Sequence, residues 1–176
     1  DIKLATLSDT DTTNVTGSEL VTNNSSFSNT TGYTALSGAG LSVASSKIRV
    51  VGADSSDGTY GLSYAVSTTV GKTYVFNAVA EASSSWAPRV GTSSGGQELV
   101  LGTSQTGSGV ESSSLTFKAT GTTAYVTVYV YGANHTGDIT SFSVRLAEED
   151  RSVNGNGLQV FGTVTKTAVA TGADLV

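Results

Sequence analysis

Nine residues, TAYVTVYVY at Thr123–Tyr131, alternate without interruption. Val126, Val128 and Val130 fall on one side; Tyr125, Thr127, Tyr129 and Tyr131 fall on the other. A period of two is the mark of a β-strand, because successive side chains leave opposite faces of the pleat. The valines make a core face. The tyrosines on the reverse have two readings: a half-exposed platform for a ligand, or strand-forming residues that pack across to their neighbours.

The rest of the chain repeats this theme at shorter length. ELVT (19–22), TAL (34–36), GLSV (40–43) and KIRVV (47–51) are short apolar or alternating runs, and Ile2–Leu7 offers one more. Tyr60, Leu62, Tyr64 and Val66 share a face; KTYVFNAVA (72–80) is apolar on both faces and reads as a central strand. APRVGT (87–92) and ELVLGT (98–103) read as a hairpin about the turn Ser93–Gly96. SLTFKAT (114–120) turns at Gly121–Thr122 into the tyrosine–valine strand, and ITSFSVRLA (139–147) turns Phe142, Val144 and Leu146 inward. That is roughly ten strands at the spacing of sandwiches and barrels. No helical crossover separates them, so a parallel α/β sheet is excluded. An all-β, two-sheet antiparallel sandwich with about five strands per sheet follows.

Composition agrees. The chain of 176 residues has 21 glycines, one proline, no cysteine and no methionine, and only 13% of its residues are charged. It lacks the Ala, Leu, Glu and Lys runs of long helices. No apolar stretch approaches the ~18 residues of a membrane span. The net charge of −5, without a basic cluster, argues against nucleic acid and anionic membranes as partners. Zero cysteines exclude disulfides and thiolate metal sites. The chain opens at Asp1 and reads as a processed or excised piece of something longer. After the charge run Glu148–Asp150 the residues lose large core side chains. Residues 1–147 are thus expected to hold the sandwich, with its core at 18–147, and 148–176 a linker or β-arm.

Catalysis needs a poised nucleophile, base or metal. The single histidine, His135, lies in the loop ANHTGD, with no G-x-S-x-G elbow elsewhere. Glu81, Glu98 and Glu111 are the carboxylates a glycosidase would have to pair, and nothing in the spacing pairs them. The expectation is no enzyme and no catalytic residues. Asp54 and Asp57 in DSSD read as a solvated turn before a calcium loop.

Taken in order, SELVTNNSSFSNTTGYTALSGAGLSVASSKIRVVGA, GLSYAVSTTVGKTYVFNAVAEA, PRVGTSSGGQELV and SLTFKATGTTAYVTVYVYGANHTGDITSFSVRL resemble the jelly-roll carbohydrate-binding modules of the xylan- and glucan-binding kind, over about residues 18–147. Gly71–Tyr74 and Phe117–Thr120 carry the resemblance best. It implies a jelly roll whose one sheet offers an aromatic and polar face to a sugar chain. Asn23-Asn24-Ser25 and Thr140-Ser141 depart from the superfamily pattern, and the second departure removes the aspartate that can hold a structural calcium there. Calcium therefore stays open as a cofactor, with Glu19 its remaining candidate ligand. The tail after Asp150 is similar to junctions in tail and virion proteins of marine bacteriophages.

Sugars lay C–H faces on aromatic rings and exchange hydrogen bonds with Asn, Arg and His side chains. The expected carbohydrate-binding set is Trp86, Arg89, Tyr125, Tyr129, Tyr131, Asn134 and His135. Trp86 belongs to it because SSSWAP reads as an exposed loop. The expected partner is a polysaccharide or glycan met outside the cell or on a virion surface. The other reading is a structural or adhesion domain of a phage or surface protein, its tyrosine face against another subunit and its C-terminal arm joining a homo-oligomer.

Overall fold

The computed structural model describes residues 17–52, 59–83, 85–106, 109–131 and 136–147. The expected strand at Ile2–Leu7, the turn at Asp54 and Asp57, the loop residues Asn134 and His135, and the arm at 148–176 lie outside these. No helix among the described residues is long and apolar enough to cross a membrane.

Two antiparallel sheets face each other. The first contains β1 (Tyr33–Leu36), β4 (Thr59–Ser67), β10 (Thr123–Tyr131), β6 (Ser85–Gly91) and β7 (Val100–Leu101), hydrogen-bonded in that order, with β8 (Gln105–Thr106) also pairing with β6. The second has the order β2 (Gly40–Ala44), β3 (Lys47–Val51), β11 (Thr136–Leu146), β5 (Thr73–Ala82), β9 (Gly109–Lys118). The tyrosine–valine strand sits at the centre of the six-stranded sheet, between β4 and β6. Its valines are buried between the sheets with Leu62, Val66 and Val90 from its neighbours. From the second sheet Ile48, Val50, Phe76, Ile139, Phe142 and Val144 meet them, all fully buried. The alternation in the sequence was thus a true record of which face is dry.

Four elements differ from the sequence expectation. ELVT does not form a regular strand. Residues 17–25 instead run along the part of β11 that β3 has left: Leu20 donates to the Val144 carbonyl (2.9 Å), and Ser25 bridges to Ser141. The Glu19 carboxylate interrupts the ladder there, because it takes the Val144 amide at 2.8 Å in place of a backbone carbonyl. Of ELVLGT only Val100 and Leu101 pair with β6. β9 begins at Gly109, five residues before the expected Ser114, and ladders along the whole of β5.

The fourth concerns Trp86. It lies within β6, in register with Val130, and points into the core with none of its surface exposed. A run of serines and a proline disguised a strand as a loop: Pro88 is tolerated here inside β6. Gly137 of the opposite sheet packs so closely on Val130, the register partner of Trp86, that an added Cβ would stand 2.5 Å from the valine Cγ2.

Candidate functional site

The reverse face of the six-stranded sheet is the one the sequence marked with tyrosines. Register places Tyr125 between Ala65 and Gly91, Thr127 between Ser63 and Arg89, Tyr129 between Gly61 and Ala87, and Tyr131 between Thr59 and Ser85. Every one of these side chains therefore leaves the sheet on the side away from the core. Tyr125, Tyr129, Tyr131 and Arg89 are half-buried. Four of the seven expected site residues share this face. Trp86 does not: it contacts the opposite side of the sheet, and its expected exposure is corrected. Its indole N–H is buried without a hydrogen-bond partner among the described residues.

Arg89 organises the face. Its guanidinium lies over the Tyr129 ring, 4.2 Å from the centroid, and one terminal nitrogen donates to the Tyr131 phenol oxygen at 2.7 Å. Tyr129 is the diagonal neighbour of Arg89 across the pair of strands, and Tyr131 lies one same-face position further along β10, within reach of a long side chain. A planar cation stacks well on an aromatic ring. The consequence is that the Tyr129 ring is already covered on one side. What this half of the face turns outward is a guanidinium flanked by phenols rather than a row of bare rings.

A strap crosses the middle of the face. After Gly91 the chain 92–99 leaves β6, passes over β10 and reaches β4 and β1 before it returns as β7. Ser94 and Ser63 hydroxyls lie 2.6 Å apart. Gly95 rests on the Tyr129 phenol: a Cβ there would stand 2.6 Å from the phenol oxygen and 3.4 Å from Leu36 Cδ1. Gly95 has φ +79°, a conformation that glycine adopts without penalty. At the base the Glu98 carboxylate accepts the Thr92 amide at 3.0 Å, and Gly96 donates to the Ser93 carbonyl at 2.9 Å. The hydrogen bonds from its own and the Thr92 amide keep Glu98 below the ordinary carboxylate range.

Under the strap the face is sealed. Thr127 is 0% exposed, Ser63 1% and Ala87 2%. Thr127 Oγ1 and Arg89 Nε are buried there with no hydrogen-bond partner in the described structure. The tyrosine stripe is therefore cut in two: Tyr125 on one side, and Tyr129, Tyr131 and Arg89 on the other. Sequence reasoning missed the strap because TSSGG is ordinary turn chemistry; nothing in it tells a tight hairpin from a loop that folds back over its own sheet.

The carboxylates a hydrolase would need are dispersed. Glu81 faces out from the five-stranded sheet and pairs with Lys47 at 3.1 Å. Glu111 alternates to the inner face of β9, with its Oε2 buried and unpartnered, and Glu98 serves the strap on the other sheet. No group of three or more His, Asp or Glu residues gathers among the described residues.

Glu19 was the remaining calcium candidate. Its carboxylate is met by hydrogen-bond donors: the amides of Leu20 and Val21 (3.1 Å each) and Val144 (2.8 Å), the Ser143 hydroxyl (2.5 Å) and Arg145 Nε (3.3 Å). Burial pushes this carboxyl up, but Ser143, Val144, Val21 and Arg145 together outweigh it and hold it below its usual range. A cation needs lone pairs, and here N–H and O–H groups converge with a guanidinium. These residues do not fit calcium.

No protein-family profile matches the chain, nor does any curated protein. Solved structures do. A family 61 carbohydrate-binding module, TmCBM61, in complex with β-1,4-galactotriose, superposes with a TM-score of 0.56 at 14% identity, over 73% of this chain and 99% of that one. The fold is that of the jelly-roll carbohydrate-binding modules. A second such module, the CBM22-1 xylan-binding domain of Paenibacillus barcinonensis Xyn10C, matches with a TM-score of 0.56 at 12% identity, over 77% of this chain and 99% of that one. The jelly roll also matches part of a larger protein, the enzymatically active domain of bacteriophage CBA120 tailspike protein 4. There the TM-score is 0.55 at 11% identity, with 73% of this chain and 21% of the tailspike covered.

Proposed function

We propose that this jelly roll is a non-catalytic glycan-binding module that works outside the cell, with its site on the outer face of the six-stranded sheet around Arg89, Tyr129, Tyr131 and Tyr125. The observation that carries the reading is the Arg89 cluster: a guanidinium stacked on one tyrosine and hydrogen-bonded to another, on a sheet face turned away from the core. Such a cluster offers both of the contacts sugars need, donors for hydroxyls and aromatic ring faces for C–H groups. The fold supports it, since two complete solved domains of the same architecture are a module holding β-1,4-galactotriose and a xylan-binding domain. The site is open and shallow, and the expected dissociation constants are about micromolar to millimolar, roughly −4 to −8 kcal/mol.

Affinity electrophoresis through gels containing plant and algal polysaccharides tests this directly. The native protein is expected to be retarded by at least one polysaccharide, and Tyr131→Ala, which keeps the core intact, to lose most of the retardation. No retardation by any polymer would overturn the reading.

The second reading is a structural or adhesion domain of a virion or surface protein. It is supported by the likeness to part of a tailspike and by the strap, which already covers the middle of the tyrosine face. Sedimentation separates the two: a stable oligomer in which Tyr131→Ala disrupts assembly favours a subunit contact, and a monomer favours the glycan.

A further inference from the structure

Arg89 differs from the other described arginines in one respect. Arg49 is held by Asp138 through two hydrogen bonds of 2.7 Å, and Arg145 lies 3.3 Å from Glu19; both belong to the five-stranded sheet. Arg89 has no carboxylate partner among the described residues. Its neighbours are neutral: the Tyr129 ring, the Tyr131 phenol, Thr127, Ala87 and Ser85. Glu98, in the strap that follows β6, spends its carboxylate on the Thr92 amide. A positive charge with no counter-charge among the described residues thus stands on the face, in a chain whose net charge is −5.

Its position adds to this. The phenol of Tyr131 fixes one end of the guanidinium and the Tyr129 ring fixes its plane, so the cation is held in place before any ligand arrives. An ordered guanidinium loses less freedom on binding than a mobile one, and its planar fork matches a planar carboxylate. Neutral sugars do not need this: a hydroxyl is met equally well by an amide or another hydroxyl.

We infer that the glycan bound on this face is acidic, and that Arg89 pairs with the carboxylate of a uronic acid residue, with Tyr131 orienting the guanidinium and Tyr129 supporting it. The inference rests on the glycan-binding reading and gives it a ligand class. The chain's overall negative charge works against indiscriminate attraction of polyanions, so a preference for uronates would report a local contact rather than a basic surface.

The experiment uses three uronate polymers, polygalacturonate, alginate and glucuronoxylan, each in its native form and after chemical reduction of the carboxyl groups to primary alcohols. Binding of the native protein is measured by isothermal titration calorimetry in all six, alongside neutral xylan, galactan and β-glucan. The expected result is that at least one native uronate binds at least about tenfold more tightly than its reduced form. Arg89→Gln is expected to erase that difference, and Arg89→Lys, which keeps the charge without the fork, to keep part of it. Equal affinity for the native and reduced forms of every uronate that binds, or binding confined to the neutral polymers, overturns the uronate assignment and leaves the glycan module standing. A uronate preference that survives intact in a folded Arg89→Gln protein overturns the role of Arg89. Binding to none of the nine polymers sinks the glycan-binding reading itself. Should Arg89→Gln fail to fold, the comparison of native with reduced polymers still decides the ligand class.

Discussion

Trp86 is the clearest case of a residue whose role is set by its neighbours. Fully buried in the core between the sheets, it is a packing element, and removing it should leave a large void. Trp86→Ala is expected to destabilise the protein by about 3–5 kcal/mol, read as a fall in the urea midpoint. Its emission should be that of a buried indole and should stay unshifted when a polysaccharide binds; a red, quenchable emission would contradict the packing described. Glu19 belongs to the same scale. Glu19→Gln keeps the shape but sets an amide N–H₂ against donors, and a loss of about 1–3 kcal/mol is expected from the unmatched groups.

The strap is the element on which access to the face turns. Over the face it is held by a pair of serine hydroxyls and a glycine on a phenol, and at its base by the Glu98 staple and by Leu99 on β6. Beneath it two polar atoms find no hydrogen-bond partner among the described residues. A segment held this way is expected to open more readily than the strands it covers, and amide exchange should show the 92–99 amides less protected than those of β10. Gly95→Ala forces a side chain into a φ of +79° and against Tyr129. It should lower stability by about 1 kcal/mol or more while exposing Tyr129 and Thr127. An unchanged stability would mean that the strap is not seated on the tyrosine.

At the scale of the whole molecule, three depressed carboxylates link the fold to pH; Glu98 acts within the strap, and Glu19 and Asp138 join separate segments. Glu19 is held below its ordinary 4.5, burial being outweighed by its hydrogen bonds, and Asp138 is held below its ordinary 3.8 by the hydrogen bonds from Arg49. Both have depressed folded values, so the unfolded chain binds their protons first as pH falls. Their contribution is complete above the ordinary carboxylate range and is lost as pH drops through the lowered folded values. The melting temperature should therefore be insensitive to these groups from neutrality to about pH 5 and fall below it. Glu19→Gln should flatten part of that acid slope. Because donors surround Glu19, a chelator is expected to leave the melting temperature unchanged; a fall of several degrees would point to a cation elsewhere in the chain.

The alternation of Thr123–Tyr131, the apolar parity of β3, β5 and β11, and the absence of helical runs were enough to specify a two-sheet antiparallel sandwich and to say which side chains of each strand face the core. Period two is a local property, and burial of one face enforces it. Arg89 and the three tyrosines were legible as companions for the same reason: parity alone puts them on one face. Three things were not legible. Trp86 looked exposed because serine-rich flanks resemble a loop, and only pairing with β10 shows it to lie in a strand whose parity turns it into the core. The strap looked like a hairpin turn because Thr-Ser-Ser-Gly-Gly permits both, and the choice depends on Ser63, Tyr129 and Leu36, which lie 30 to 60 residues away in either direction. The partners of Glu19 were not visible either, because only the fold brings Ser143, Val144 and Arg145 to it. The sequence determines which way a strand's side chains point, because that follows from the geometry of the chain itself. What those side chains meet is decided by the tertiary structure, because distant segments supply the partners.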